Sequence, residues 1–300
     1  MLLQSSENFA LPQTLLHVEM HDDTRTALRR LYHYEPMPEE RTLIDLKSSY
    51  PKAKTAAVLL LLFEKQGVLR VVLTTRSKTL RTHPGQTALP GGKSEPMDQD
   101  SVSTALREAY EECGLDPSSS SLHLISQLPP FLSQWKLLVT PVVVFIDNAA
   151  CVDDLKPGVG EVDRIFSHPL EAVLDPSLVL TLNEPLSEKG SEDWPYVEEL
   201  YTTSDTTWTQ MRGSAYRMHR VRTCASPIKG LTMDILTLAA QIAYEKGTTY
   251  TRYAPNQPIP SQLALWAIED LNNPLPTMDQ VVHSTPDIGA MASREHESSR

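Results

Sequence analysis

Cysteine is scarce in this chain: Cys113, Cys151 and Cys224 are the only three in 300 residues, odd in number and far apart. No CxxC pair and no histidine at zinc spacing accompanies them, which excludes a disulfide framework and points to a reducing intracellular compartment. Long apolar runs are missing as well. None reaches the roughly eighteen residues of a membrane span, and Val58 to Phe63 is flanked as a core strand instead. The N-terminus has neither the basic start nor the apolar centre of a secretory signal, and no arginine stands before Arg25, against a mitochondrial presequence. The final Ser298, Ser299 and Arg300 differ from the Ser-Lys-Leu type of peroxisomal address.

Positive charge is also in short supply, with 27 Lys and Arg against 38 Asp and Glu and a formal net charge of -11. That balance excludes a general nucleic-acid binder, whose affinity rests on clustered cations. Any phosphate must be gripped by a local site, so the expected partner is a small molecule. Hydrophobic residues make up 40% of the chain, enough for a core, and 300 residues allow one elaborated domain or two small ones. No internal repeat is visible. The oligomeric state is not legible in the chain.

What is present centres on Leu89 to Leu115, LPGGKSEPMDQDSVSTALREAYEECGL. Pro90, Gly91 and Gly92 form a tight turn in which the backbone can approach a ligand or metal closely. Asp98, Asp100 or Ser101 can cap the helix that follows, Val102, Ala105, Leu106, Ala109 and Cys113 give it one apolar stripe, and Gly114 stops it. Glu108, Glu111 and Glu112 lie at i, i+3 and i+4, so their carboxylates share one side. Such a triplet reads equally as a solvated charged face. Two acids in the last turn, however, oppose the helix dipole by roughly 0.3 to 1 kcal/mol each. A bound divalent cation with oxygen ligands, Mg2+ or Mn2+, reverses that balance.

The conjunction is more specific than the triplet. Gly-Gly, an acid six residues past the second glycine, Arg107-Glu108 and then Glu111-Glu112-x-Gly114-Leu115 together resemble the Nudix box. Two features differ from the general box: Asp98 replaces a glutamate, and eight residues rather than seven separate it from Arg107. Immediately upstream, LTTRSKTLRTHPGQTALPGG, Leu73 to Gly92, resembles the motif of the coenzyme A diphosphatase branch, with Leu89 where that motif usually has phenylalanine. The resemblance implies an α/β Nudix fold, a mixed sheet sandwiched between helices. It implies hydrolysis of the pyrophosphate of coenzyme A or acyl-CoA to 3',5'-ADP and a 4'-phosphopantetheine product.

On that resemblance, Glu108, Glu111 and Glu112 are the expected metal ligands and catalytic acids. The Gly91 carbonyl could complete the coordination, and Arg107 orients the site by pairing with Asp98. Glu161 could supply a fourth carboxylate as ligand or base, or be a solvated loop acid. Arg76, Arg81, Lys93, Gly91 and Gly92 are the expected substrate contacts, while Lys78 and His83 read as a soluble basic loop. Localisation is expected to be intracellular, cytoplasmic or peroxisomal. Two alternatives stay open: a hydrolase of oxidised nucleotides or ADP-ribose-like substrates, and a silent Nudix-like domain that binds a nucleotide.

In chain order, residues 1–22 are expected to be flexible and 23–250 to form the domain. Thr24 to Tyr32 reads as a helix. Lys54 to Phe63 reads as a strand buried on both faces and Leu69 to Arg76 as its hairpin partner. Further strands are expected at Leu122 to Leu128 and Leu137 to Ile146, and a strand and short helix over Glu161 to Asp175. Residues 176–213 form a loop-rich insertion whose aromatics Trp194, Tyr196, Tyr201 and Trp208 either cover a pocket or anchor it. A strand, a turn and an amphipathic helix from Thr232 follow. Residues 251–300 are expected to be a mostly disordered tail, apart from a short helix at Gln262 to Leu271.

Overall fold

A computed structural model describes residues 11–272 except Gln210; the first ten residues and 273–300, both assigned above to flexible ends, lie outside it. Helices α1 (Asp22–Tyr32) and α2 (Pro38–Leu46) precede the hairpin of β1 (Thr55–Lys65) and β2 (Val68–Arg76). Short strands β3 (Thr87–Ala88) and β4 (Gly91–Lys93) bracket the glycine turn, and α3 (Ser101–Cys113) follows. Next come β5 (Leu122–Gln127), β6 (Phe131–Leu132), β7 (Leu138–Ile146), the one-turn α4 (Ala150–Asp153), β8 (Val162–Pro169) and the one-turn α5 (Leu178–Thr181). The remainder holds β9 (Tyr201–Trp208), β10 (Ser214–Val221), β11 (Ile228–Lys229), α6 (Gly230–Tyr244) and α7 (Pro260–Asn272).

The main sheet is mixed, and β1 lies at its centre. β7 runs parallel to β1 from Thr55 to Phe63, while β5 and β6 pair antiparallel with β7. The other edge of β1 is shared: β4 takes Ala56 to Val58 and β2 takes Leu62 to Lys65. β2 then diverges to pair with β8 and, at Thr74 and Thr75, with β3. Leu89 and Pro90 bridge the gap so opened, and the Leu59 N–H donates to the Pro90 carbonyl at 2.7 Å. The glycine turn is thus pinned to the central strand.

Alternation along β1 builds the two core layers. Leu60 and Leu62 pack with Ala27, Leu28 and Leu31 of α1 and Ile235, Leu236 and Ala239 of α6. Ala57, Leu59, Leu61 and Phe63 pack against Ala105 and Ala109 of α3. Each fully buried leucine contributes roughly 1.5 to 3 kcal/mol, and the near-continuous apolar run of β1 follows from burial on both faces.

Three expected boundaries shift. The N-terminal segment joins the core by Leu11, since Leu11 and Leu15 are buried with α1, so residues 11–22 belong to the folded unit. The tail expected from 251 is folded through α7, where Leu263, Ala264, Ala267 and Ile268 pack with Leu43, Tyr50, Leu132 and Leu138. The apolar residues of α7 are buried against Leu43 of α2 and Leu132 of β6, which outweighs the flanking prolines. The insertion is also more regular than expected: β9 pairs with β10 along its whole length, forming with β11 a separate sheet. Trp194 is fully buried and its indole N–H donates to the Glu198 carbonyl at 2.7 Å, so it anchors the insertion. Among the described residues, no helix is long and apolar enough to cross a membrane.

Candidate functional site

Helix α3 is started by Asp100, whose carboxylate accepts from the Ser103 N–H at 2.8 Å while its own N–H donates to the Ser103 hydroxyl at 2.9 Å. It is stopped by Gly114 in the left-handed conformation at φ 69°. Between them the apolar stripe is buried against β1, which turns the Glu108 and Glu112 side of the helix towards the glycine turn. The Gly91 N–H donates to Glu112 Oε2 at 3.1 Å. A Cβ on Gly91 would meet rigid backbone, 2.4 Å from the Ala57 carbonyl oxygen, whereas one on Gly92 would lie 2.4 Å from the Glu108 carboxyl and displace it.

Arg107 organises the acids. Its Nε and one terminal nitrogen grip the two Asp98 oxygens at 3.0 Å each, and the same nitrogen donates to the Lys93 carbonyl at 3.0 Å. The other terminal nitrogen donates to Glu108 Oε1 at 3.1 Å and Glu111 Oε2 at 3.0 Å. Asp98 also accepts from the Glu95 N–H and the Thr104 hydroxyl, and the Arg107 guanidinium holds its carboxyl well below the usual range. The expected Asp98 pairing is therefore present, and Arg107 reaches Glu108 and Glu111 as well.

Burial raises the Glu112 carboxyl to about 7, opposed by the Gly91 N–H and by Arg76, whose guanidinium lies 3.7 Å away, and assisted by Glu108 and Glu161. Burial also raises Glu108, with Arg107 opposing and Glu111 and Glu161 adding to it. Glu161 thus lies close enough to act on both acids, although its own side chain is exposed. Its loop is tied to the end of α3: the Gly158 N–H donates to the Glu112 carbonyl at 2.8 Å, and a Cβ on Gly158 would lie 2.6 Å from the Glu111 carbonyl oxygen. Gly158 is a positioning residue that the sequence reading missed; Pro157-Gly158-Val159-Gly160 was its only signal.

Hard carboxylates, two of them with pKa values raised by burial and then by neighbouring acids, beside a glycine turn, fit a divalent cation. Among the described residues no three acids, histidines or cysteines yet converge on one point, because Arg107 draws Glu108 and Glu111 to itself. Arg107 holds Glu111 through Oε2 alone, and Oε1 remains for a cation.

Beside the turn opens a cavity of about 600 Å³, with Gly91, Arg76, Trp208 and Tyr216 among its walls. Arg76 therefore faces both the acids and the cavity. His83, read above as part of a soluble loop, lines the cavity and accepts from the Trp135 indole N–H at 3.3 Å. Arg81 and the Lys93 side chain are exposed and are not among the lining residues. The cavity also takes Arg220, Lys229 and Asp234, which sequence spacing did not bring together.

The NUDIX domain family matches residues 53–188. The chain is 37% identical over 205 residues to "Nudix hydrolase 15, mitochondrial" of Arabidopsis thaliana, covering 68% of this chain and 64% of that protein. It is 37% identical over 211 residues to "Nudix hydrolase 22, chloroplastic" of the same plant, covering 68% and 60%. It is 36% identical over 135 residues to "Peroxisomal coenzyme A diphosphatase NUDT7" of Mus musculus, covering 45% and 55%. The chain thus spans less than two thirds of the length of these curated relatives. The glycine turn, the Arg107 network and the glutamates of α3 all fall inside residues 53–188, the segment that matches the NUDIX domain family.

Proposed function

We propose that the chain hydrolyses the phosphoanhydride of coenzyme A or an acyl derivative, releasing 3',5'-ADP and the corresponding 4'-phosphopantetheine. The observation that carries this reading is the cavity of about 600 Å³ that opens beside Gly91, Arg76 and the buried Glu112. It has room for a nucleotide next to the acids, and the similarity to the mouse coenzyme A diphosphatase supports the choice of substrate. Glu108, Glu111 and Glu112 would hold Mg2+ or Mn2+. When bound, the cation neutralises pyrophosphate charge and lowers the pKa of a coordinated water.

The chain's own residues do the rest. Arg76 offers a bidentate grip to a phosphoryl oxygen at the cavity wall. The Gly91 and Gly92 backbone lets the anhydride approach without obstruction. Arg107 orients Glu108 and Glu111, and Glu161 is the acid to which this reading assigns the proton of the attacking water. Specificity constants across coenzyme A, dephospho-coenzyme A, ADP-ribose, NADH and 8-oxo-dGTP test the reading. Coenzyme A should lead the panel; a clear lead for ADP-ribose or 8-oxo-dGTP would replace it.

A further inference from the structure

Along the cavity that Gly91 also lines, β10 and β11 pair so that Arg220 stands directly opposite Lys229. Both line the cavity. Like charges directly opposite in an antiparallel pair are destabilising, and in a chain of net charge -11 a carboxylate between them would be easy to supply. None is there. Among the described residues Arg220 makes no ion pair; it donates to the Ser204 hydroxyl at 3.0 Å and the Met218 carbonyl at 3.3 Å and lies over the Tyr196 ring. The Lys229 side chain has no hydrogen-bond or ion-pair partner among those residues, and burial followed by the Arg220 charge pushes its ammonium pKa down.

The acid on the lining, Asp234, is engaged elsewhere, accepting from the Tyr216 hydroxyl at 2.8 Å. Lys229 also precedes the fifteen-residue α6, whose N-terminus has no side-chain cap and whose first residues, Gly230 to Thr232, line the same wall. Two cations paired across two strands and an uncapped helix start therefore line the same cavity as Gly91 and Arg76, which contact Glu112. Each is unfavourable alone, and a single dianion relieves both.

We infer that Arg220 and Lys229 form a second anion subsite, which receives a phosphate monoester carried by the nucleotide half of the substrate while the diphosphate lies at the glycine turn. This rests on the coenzyme A reading, in which the 3'-phosphate is that monoester. The two residues lie on the cavity lining, whereas Arg81, an expected substrate contact, does not.

The test is calorimetric binding of 3',5'-ADP and of 5'-AMP to the full chain, with no turnover. The wild-type chain should bind 3',5'-ADP roughly ten- to a hundredfold more tightly, the range of one charge-assisted hydrogen bond. Lys229→Met and Arg220→Gln should bring that ratio close to one, while Lys229→Arg should keep it. Without ligand, the Lys229→Met melting temperature should hold or rise, because repulsion is relieved. Equal wild-type affinities, or a ratio unchanged in both variants, would overturn the subsite. If the wild-type chain hydrolyses coenzyme A yet binds both nucleotides alike, the subsite falls and the reaction stands. If the ratio behaves as expected but coenzyme A is not hydrolysed, the subsite stands and the reaction falls.

Discussion

The Gly91 N–H donates to Glu112 Oε2 across 3.1 Å, joining the turn that closes the gap in the main sheet to the last turn of α3. One hydrogen bond links the part of the fold fixed by β1 to the most buried of the site's acids. The two neighbouring glycines should therefore fail in different ways when substituted.

Gly91→Ala forces a Cβ against backbone, 2.4 Å from the Ala57 oxygen and 2.6 Å from Val58 Cα, and rigid strand atoms cannot move aside cheaply. It should destabilise the fold by roughly 1 to 3 kcal/mol. Gly92→Ala meets only the end of the Glu108 side chain, which can swing away. That variant should melt near the parent temperature and lose most activity. Urea unfolding with parallel rate measurements distinguishes the two, and equal stability losses would refute the asymmetry.

Glu112→Gln and Glu111→Gln should each lower turnover by orders of magnitude while moving stability by about 0.5 kcal/mol or less for the exposed Glu111. Excess chelator should abolish activity, and Mg2+ or Mn2+ should restore it. Full activity in chelator would remove the metal from the account.

Arg107→Met leaves the buried Asp98 without its bidentate partner, and the lost charge-assisted hydrogen bonds should lower stability by roughly 1.5 to 3 kcal/mol. The Asp98 pKa is depressed in the folded chain, so this contribution is present at neutral pH and is lost as pH falls through the acid range. A variant matching the parent in urea at pH 7 would show that the pair is only decorative.

His168 gives a pH signature away from the site. It is buried, its Nε2 has no partner among the described residues, and burial assisted by Arg70 lowers its pKa from 6.5 to about 4. The unfolded chain takes up the proton first, so stability falls as pH drops below 6.5, by about 2 kcal/mol at pH 5. Glu112, raised to about 7, acts in the opposite sense in the metal-free chain. The readout is therefore the difference between the parent and His168→Gln: the parent should lose more stability between pH 7 and pH 5. Parallel curves would contradict the assignment.

Truncation after Tyr250 removes α7 and with it the buried Leu263, Ala264, Ala267 and Ile268, and should leave an aggregating or unstable chain. Truncation after Asn273 keeps them and should melt like the parent. Equal melting of the two would place α7 outside the cooperative unit.

The core and α3 were legible for a local reason. β1 is a nearly unbroken apolar run, and α3 carries its cap, stripe and stop within fifteen residues, Asp100 to Gly114. β9 was not legible, because Tyr201 to Trp208 is mostly hydroxyl side chains with no apolar alternation. It is held by pairing with β10 and by the bidentate Arg217–Asp205 contact. Leu11 and Leu15 are too few to show a period. Arg76 was found because it sits beside the box, whereas Arg220, Lys229 and Asp234 meet Gly91 only through the packing of segments more than a hundred residues apart.

The most direct measurement is mass-spectrometric identification of the products formed from coenzyme A and Mg2+ by the parent chain and by Glu112→Gln. The parent should give 3',5'-ADP and 4'-phosphopantetheine in equal amounts, and the variant almost none. Unchanged coenzyme A with the parent, or equal product from both proteins, would contradict it.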